Sequence, residues 1–168
     1  RLSDKNAEKI DIVVLRECTE GLFYTAAVHN RNKIANNDEV EDIMRITRNT
    51  TTRLHNFAFK LAEKRKQKGK LGKVTCVDKA NVFKSQALFR KIFNEIKDDF
   101  PNIEADTCYV DAMALNLIRQ PWEYDVMVME NIFGDILSDL GGGLVWYGHG
   151  ILPVSYTHLR AHETCENL

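Results

Sequence analysis

The sequence predicts an α/β layered fold, and three features carry the prediction. Short runs rich in Val and Ile recur, amphipathic helical stretches separate them, and acidic, basic or amide residues stand where the runs end. Such a fold gathers its chemistry at the carboxyl ends of the strands. Arg16, Lys79, Asp111 and Asn131 all fall there.

Ile10 to Glu17 reads as a buried strand, because Ile-Asp-Ile-Val-Val-Leu is nearly all apolar. Phe23 to Val28 and Val40 to Thr47 read as two further strands joined by a polar loop rich in Asn. Thr50 to Lys68 is a helix: Leu54, Phe57, Ala58, Leu61 and Ala62 follow its spacing, and Asn49 or Thr50 can cap it. Lys73 to Asp78 is a strand, Ser85 to Asp99 a helix ended by Pro101, and Ile103 to Val110 a strand. Asp111 to Arg119 is a helix stopped before Pro121, Tyr124 to Met129 a strand, and Ile132 to about Leu140 a helix.

At 168 residues, 44% hydrophobic and 28% charged, the chain suffices for one core. Its net charge of −1 argues against a nucleic-acid binder, which carries a basic stripe. The densest basic run, Lys64-Arg65-Lys66-Gln67-Lys68-Gly69-Lys70, closes a predicted helix, where cations suit the helix dipole and solubility. Cys18, Cys76, Cys108 and Cys165 show no metal-binding spacing, and the first three fall in or beside predicted strands. They read as reduced, buried cysteines of a cytoplasmic protein. No apolar run is long enough to span a membrane. The chain opens on Arg1 rather than on a methionine and is read as a piece of a longer protein.

Chemistry concentrates in Glu130-Asn131-Ile132-Phe133-Gly134-Asp135-Ile136-Leu137-Ser138-Asp139, where Asp135 and Asp139 stand one helical turn apart after an apolar strand. Residues at i and i+4 share a helix face, and hard divalent cations prefer carboxylate oxygen. Asp111 supplies a third acid in the same setting, just past a strand. An aspartate at a helix start more often caps it, and an acidic pair is usually solvated. The apolar neighbours Ile136, Leu137 and Leu140, however, are expected to face a core, where unpaired acids would be costly. Lys79, in a loop of small and polar residues, is a candidate general base, though most lysines are merely solvated. Asn81 can present an amide to a ligand, and Arg16 offers the fork that grips carboxylates. Together these residues suit a metal-chelated hydroxy acid, polarised by the ion and deprotonated by a base.

Four motifs in order, Arg16-Glu17-Cys18-Thr19-Glu20-Gly21, Val77-Asp78-Lys79-Ala80-Asn81-Val82, Tyr109-Val110-Asp111-Ala112 and Asn131 to Asp139, resemble the signatures of the isocitrate and 3-isopropylmalate dehydrogenase family. The resemblance runs from about Ile10 to Leu144 and covers most of that family's smaller domain, the one that carries dimer contacts. It implies a 2-hydroxy-acid oxidoreductase that uses NAD or NADP and Mg²⁺ or Mn²⁺, with decarboxylation as the usual second step. By resemblance, Asp111, Asp135 and Asp139 bind the metal and Arg16 holds a substrate carboxylate. Lys79 transfers a proton and Asn81 lies near substrate and nicotinamide. Asp111 and Lys79 are then supplied across a homodimer whose active sites are shared.

Three departures qualify the resemblance. Phe23 stands where the common motif has a tyrosine that assists the step after decarboxylation, and Tyr24, one strand position on, should point to the opposite face. The family's main dinucleotide-binding loop is not found, nor is a GxGxxG, and Gly141-Gly142-Gly143 reads as a helix terminator or packing point. This stretch alone is therefore expected to bind the dinucleotide poorly. Finally, the domain is expected to cover residues 1–152, with 153–168 a tail foreign to the family. Ser155 to Thr164 looks like a translated adapter, so the His158 and His162 pair is not read as a zinc site. The alternative, favoured by Phe23, is a non-catalytic dimerisation or regulatory subunit of the same family.

Overall fold

A computed structural model of the chain describes residues 9–24, 38–144 and 152–156. In chain order it contains β1 (Val13–Glu17), α1 (Arg48–Gln67), β2 (Lys73–Asp78), α2 (Lys84–Ile96), β3 (Glu104–Tyr109), α3 (Val110–Arg119), β4 (Val126–Met129), α4 (Asn131–Leu144) and β5 (Leu152–Tyr156). Single 3-10 turns follow α2 and precede β4. The strands form one sheet in the order β3-β2-β4-β1-β5, and every pairing is parallel. The α/β layering read from the sequence is the observed architecture.

The order of the strands places the helices. The steps from β1 to β2 and from β2 to β3 run toward one edge of the sheet, whereas those from β3 to β4 and from β4 to β5 run toward the other. Right-handed crossovers travelling in opposite directions lie on opposite faces. One face accordingly packs Val13, Leu15, Val74, Cys76, Val126 and Val128 against Leu54, Ala58, Phe59, Phe89 and Phe93 of α1 and α2. The other packs Val14, Val77, Met127 and Met129 against Met113 and Leu117 of α3 and Leu137 of α4. The period-two alternation along β1, β2 and β4 therefore decides which face each functional residue serves.

Several sequence expectations change. Val40 to Thr47 forms no strand of the sheet: Arg45 makes an isolated antiparallel bridge to Gly21, and Val40 and Ile43 are exposed, so the alternating pattern there buries no face. Residues 25–28 of the expected strand lie outside the described residues, while Phe23 sits in a turn and Tyr24 has helical backbone. The strand argument that set Tyr24 opposite Phe23 therefore does not apply. Helix α1 starts at Arg48, earlier than expected. Thr47 flanks it, and Glu20 accepts from the Thr47 N–H (2.8 Å) and hydroxyl (2.6 Å). Helix α4 runs through the three glycines, so they do not terminate it. Cys76 is buried, but Cys18 and Cys108 are only half-buried; none of the three is in a disulfide among the described residues. Strand β5, which pairs along β1, spans residues 152 and 153. Cys165, His158 and His162 lie outside the described residues. Among the described residues, no helix is long and apolar enough to cross a membrane.

Candidate active site at the carboxyl edge of the sheet

Along the carboxyl edge, Arg16 is level with Met129, Met129 with Val77, and Asp78 with Tyr109. The chain leaves β1 and β2 toward one face, and β3 and β4 toward the other. At each junction from β3 to β1, neighbouring strands therefore lead to helices on opposite faces, the arrangement beside which ligands settle in open α/β sheets. Paired strands lie about 4.8 Å apart, so β1 and β2, with β4 between them, are separated by about 10 Å.

Alternation aims the side chains. Arg16 shares its face with Val14 and turns toward α4, where the first turn receives it. Its Nε and Nη2 donate to Asn131 Oδ1 at 3.0 and 2.7 Å, and its Nη1 donates to the Asp135 carboxylate. Asn131, Gly134 and Asp135 lie at i, i+3 and i+4, one face of the helix. Glycine is required between the two polar residues: a Cβ on Gly134 would stand 2.6 Å from Arg16 Cγ and 2.7 Å from its Cβ. The Asn131 amide also donates to the Glu20 carbonyl at 3.2 Å, tying the loop after β1 to α4.

Beneath this clamp Glu130 is buried, and one of its oxygens accepts the Phe133 N–H at 3.1 Å. Burial pushes its carboxyl above the ordinary range, against the lowering effect of the Phe133, Ile132 and Leu22 amides. Its Oε2 has no partner among the described residues and faces Gly21, where an added Cβ would lie 2.2 Å away. Gly21 also has φ of 73°, which other residues adopt at a cost. Two independent constraints thus fix glycine at this position. Phe23, at the end of this loop, lies 5.7 Å from the Arg16 guanidinium.

Further along the edge, Lys79 Nζ donates to Asp111 Oδ1 at 2.5 Å, joining the end of β2 to the first turn of α3. The ammonium beside it holds the Asp111 carboxyl below the ordinary range. Asn81 is exposed on the following turn, in which the Val82 and Phe83 N–H groups donate to the Lys79 carbonyl.

The expected residues thus form two ion pairs, Arg16 with Asp135 and Lys79 with Asp111, at one sheet edge. They do not form one cluster. Among the described residues no three metal-ligating side chains converge. Nor do the acids of α4 face a core: Asp135 and Asp139 are exposed, and Phe133, Leu137 and Leu140 do the packing. Sequence reasoning noted Asn131 only for its place at a strand end. Its role as the hinge of the clamp comes from its spacing to Gly134 and Asp135 together with Arg16, which is 115 positions away.

A sequence model of the isocitrate/isopropylmalate dehydrogenase family matches residues 1–166. The chain is 41% identical over 153 residues to a 3-isopropylmalate dehydrogenase of Bacillus cereus, covering 89% of this chain and 39% of that protein. It is 43% identical over 149 residues to a homoisocitrate dehydrogenase of Methanocaldococcus jannaschii, covering 88% and 40%. Among solved structures, the isocitrate dehydrogenase of Methylococcus capsulatus superposes with a TM-score of 0.68 at 35% identity, over 83% of this chain and 43% of that one. The chain therefore spans about two fifths of the length of these relatives. By sequence and by fold it belongs to the isocitrate/isopropylmalate dehydrogenase family.

Proposed function

We propose that this chain forms the substrate-, metal- and dimer-contact part of a dehydrogenase that oxidises a 2-hydroxy acid, such as 3-isopropylmalate or isocitrate, with NAD or NADP. The observation that carries the reading is the two ion pairs along one edge of the sheet. Each cation is held by an acid, and each can exchange that partner for a ligand group of like charge without a change in net charge. A substrate carboxylate takes the place of Asp135 on Arg16, where the planar fork gives bidentate recognition. Asp135 is then released toward a divalent cation, with Asp139 one turn away.

The donor set fits Mg²⁺ or Mn²⁺, because it is made of carboxylate oxygen without thiolate or imidazole. Asp111 is the third donor and comes from a second copy of the chain. When bound, the ion polarises the substrate hydroxyl and the carbonyl formed from it. Lys79, supplied with Asp111 by the second copy, takes the hydroxyl proton on its Nζ in the neutral amine form, and Asn81 orients substrate and nicotinamide. Helices α3 and α4 pack side by side and leave Leu115, Ile118 and Ile136 exposed, an apolar face for their counterparts in a homodimer.

Two measurements test this reading. In the complete dehydrogenase, Asp135→Asn is expected to weaken Mn²⁺ binding by at least about tenfold and to lower turnover by about 100-fold or more, by calorimetry and steady-state kinetics. Unchanged Mn²⁺ affinity would remove the metal assignment. Leu115→Asp combined with Ile136→Asp is expected to weaken self-association by about 30-fold or more in sedimentation equilibrium. An unaltered dimer would place the contact elsewhere.

A further inference from the structure

Arg90 lies on α2, on the sheet face opposite the two ion pairs, and the mechanism above makes no use of it. Its Nε donates to Asp78 Oδ2 at 2.7 Å and its Nη2 to Asp78 Oδ1 at 2.8 Å, a bidentate grip on a carboxylate with no solvent exposure. The same Oδ1 accepts the Ala80 N–H at 2.8 Å. Asp78 therefore ties α2 to the turn on which Lys79 and Asn81 stand. Arg90 also covers one side of the Tyr109 ring, with Cζ 4.8 Å from its centre, and Lys79 Nζ is 5.5 Å from the same centre. The backbone before Lys79 and the ring beside its ammonium both rest on one guanidinium.

A buried carboxylate is costly, and an apolar residue of similar size would hold β2 against α2 at less expense. The Asp78 and Arg90 pair adds something packing cannot, a directed hydrogen bond to the first amide after Lys79. We propose that Arg90 is a positioning residue for Lys79: through Asp78 and Tyr109 it fixes the turn and the lysine Nζ so that this nitrogen meets the substrate hydroxyl. This inference rests on the proton-transfer role given to Lys79. Without Arg90, the Asp78 carboxylate turns outward toward solvent, the Ala80 amide loses its charged acceptor, and the turn loosens. A displacement of about 1 Å at a reacting group can cost about 100-fold in rate.

The test compares Arg90→Met, Arg90→Lys and Lys79→Ala in the complete dehydrogenase. Arg90→Met is expected to lower kcat by about 10- to 100-fold, to leave KM for the hydroxy acid within about threefold, and to speed hydrogen exchange at the Ala80 amide. Arg90→Lys keeps the charge but not the fork or the stacking, and is expected to recover part of kcat. An Arg90→Met enzyme with normal kcat, whatever its exchange rates, overturns the proposal and shows a purely structural pair. Should Arg90→Met not fold, Arg90→Lys carries the test, and normal kcat in that variant is equally fatal. Full activity in Lys79→Ala would overturn the role of the lysine and the inference with it. An inactive Lys79→Ala beside a fully active Arg90→Met would overturn the inference alone.

Discussion

Asp125→Ala is expected to destabilise the protein by about 3–5 kcal/mol, the cost of breaking a buried ion pair by removing one partner. Asp125 is 1% exposed and begins the turn into β4. Its Oδ1 accepts Arg65 Nε at 2.5 Å, and its Oδ2 accepts the Gly72 and Lys73 N–H groups at 2.8 and 3.3 Å. Its carbonyl takes the Val13 N–H at 2.8 Å. One residue thus fastens the end of α1, the start of β2 and the start of β1 to β4. Arg65 is itself largely buried and also pairs with Asp11. Burial opposes its charge, yet the two carboxylates outweigh burial and raise its pKa.

Truncating Asp125 leaves a guanidinium and two amides without their acceptor. The double variant Asp125→Ala with Arg65→Met is therefore expected to recover much of the loss, because the stranded charge goes with its partner. Urea unfolding at neutral pH reads both numbers. A loss below about 1 kcal/mol for Asp125→Ala would mean that water reaches Arg65 and the pair is not effectively buried.

This network was hidden in the sequence, and the reason is physical. Arg65 belongs to the basic run read as a solvated helix end, and Lys64 and Lys68 fit that reading; Arg65 instead reaches an acid 60 positions away. Local periodicity carries no record of such a pair. Features with a local cause were legible. The apolar spacing of α1 gave a helix within two residues of its observed start, and Lys73–Asp78 emerged with its observed bounds because Gly72 and Lys79 flank a compact apolar run.

The candidate site was legible to the same degree. Residue types and their positions at strand ends pointed to Arg16, Lys79, Asp111 and Asp135, and the sheet brings these to one edge in two pairs. Their burial was misjudged. Ile136 was taken as a sign that α4 turns the acids toward a core, but it is 56% exposed, on the outward side that Asp135 and Asp139 also occupy. Apolar residues on both sides of a helix cannot, within one chain, tell a core from a surface made for a partner.

The second large effect is a fall in stability as the medium becomes mildly acidic, and its source is His55. This side chain is fully buried between α1 and α2, edge-on to Phe89 and Phe93 with ring centres 4.4 and 5.4 Å away. Neither ring nitrogen has a hydrogen-bond partner among the described residues. Burial alone depresses its pKa from 6.5 to about 3. The folded chain therefore keeps His55 neutral over a range in which the unfolded chain protonates it. Stability from this residue is complete above pH 6.5 and declines by about 1.4 kcal/mol per unit as pH falls toward 3, to a total of about 5 kcal/mol. His55→Leu removes the titrating group and two unsatisfied nitrogens while keeping an apolar side chain between the same rings. The variant is expected to match or exceed the parent in stability at pH 7.5 and to lose the slope between pH 6.5 and 4. Urea midpoints of parent and variant across that interval decide the matter, because the carboxylates shifted near it, Glu95 lowered by Arg48 and Glu130 raised by burial, are the same in both proteins and cancel in the comparison. An equal slope in the variant would move the acid sensitivity to another group and mean that the His55 pocket admits water.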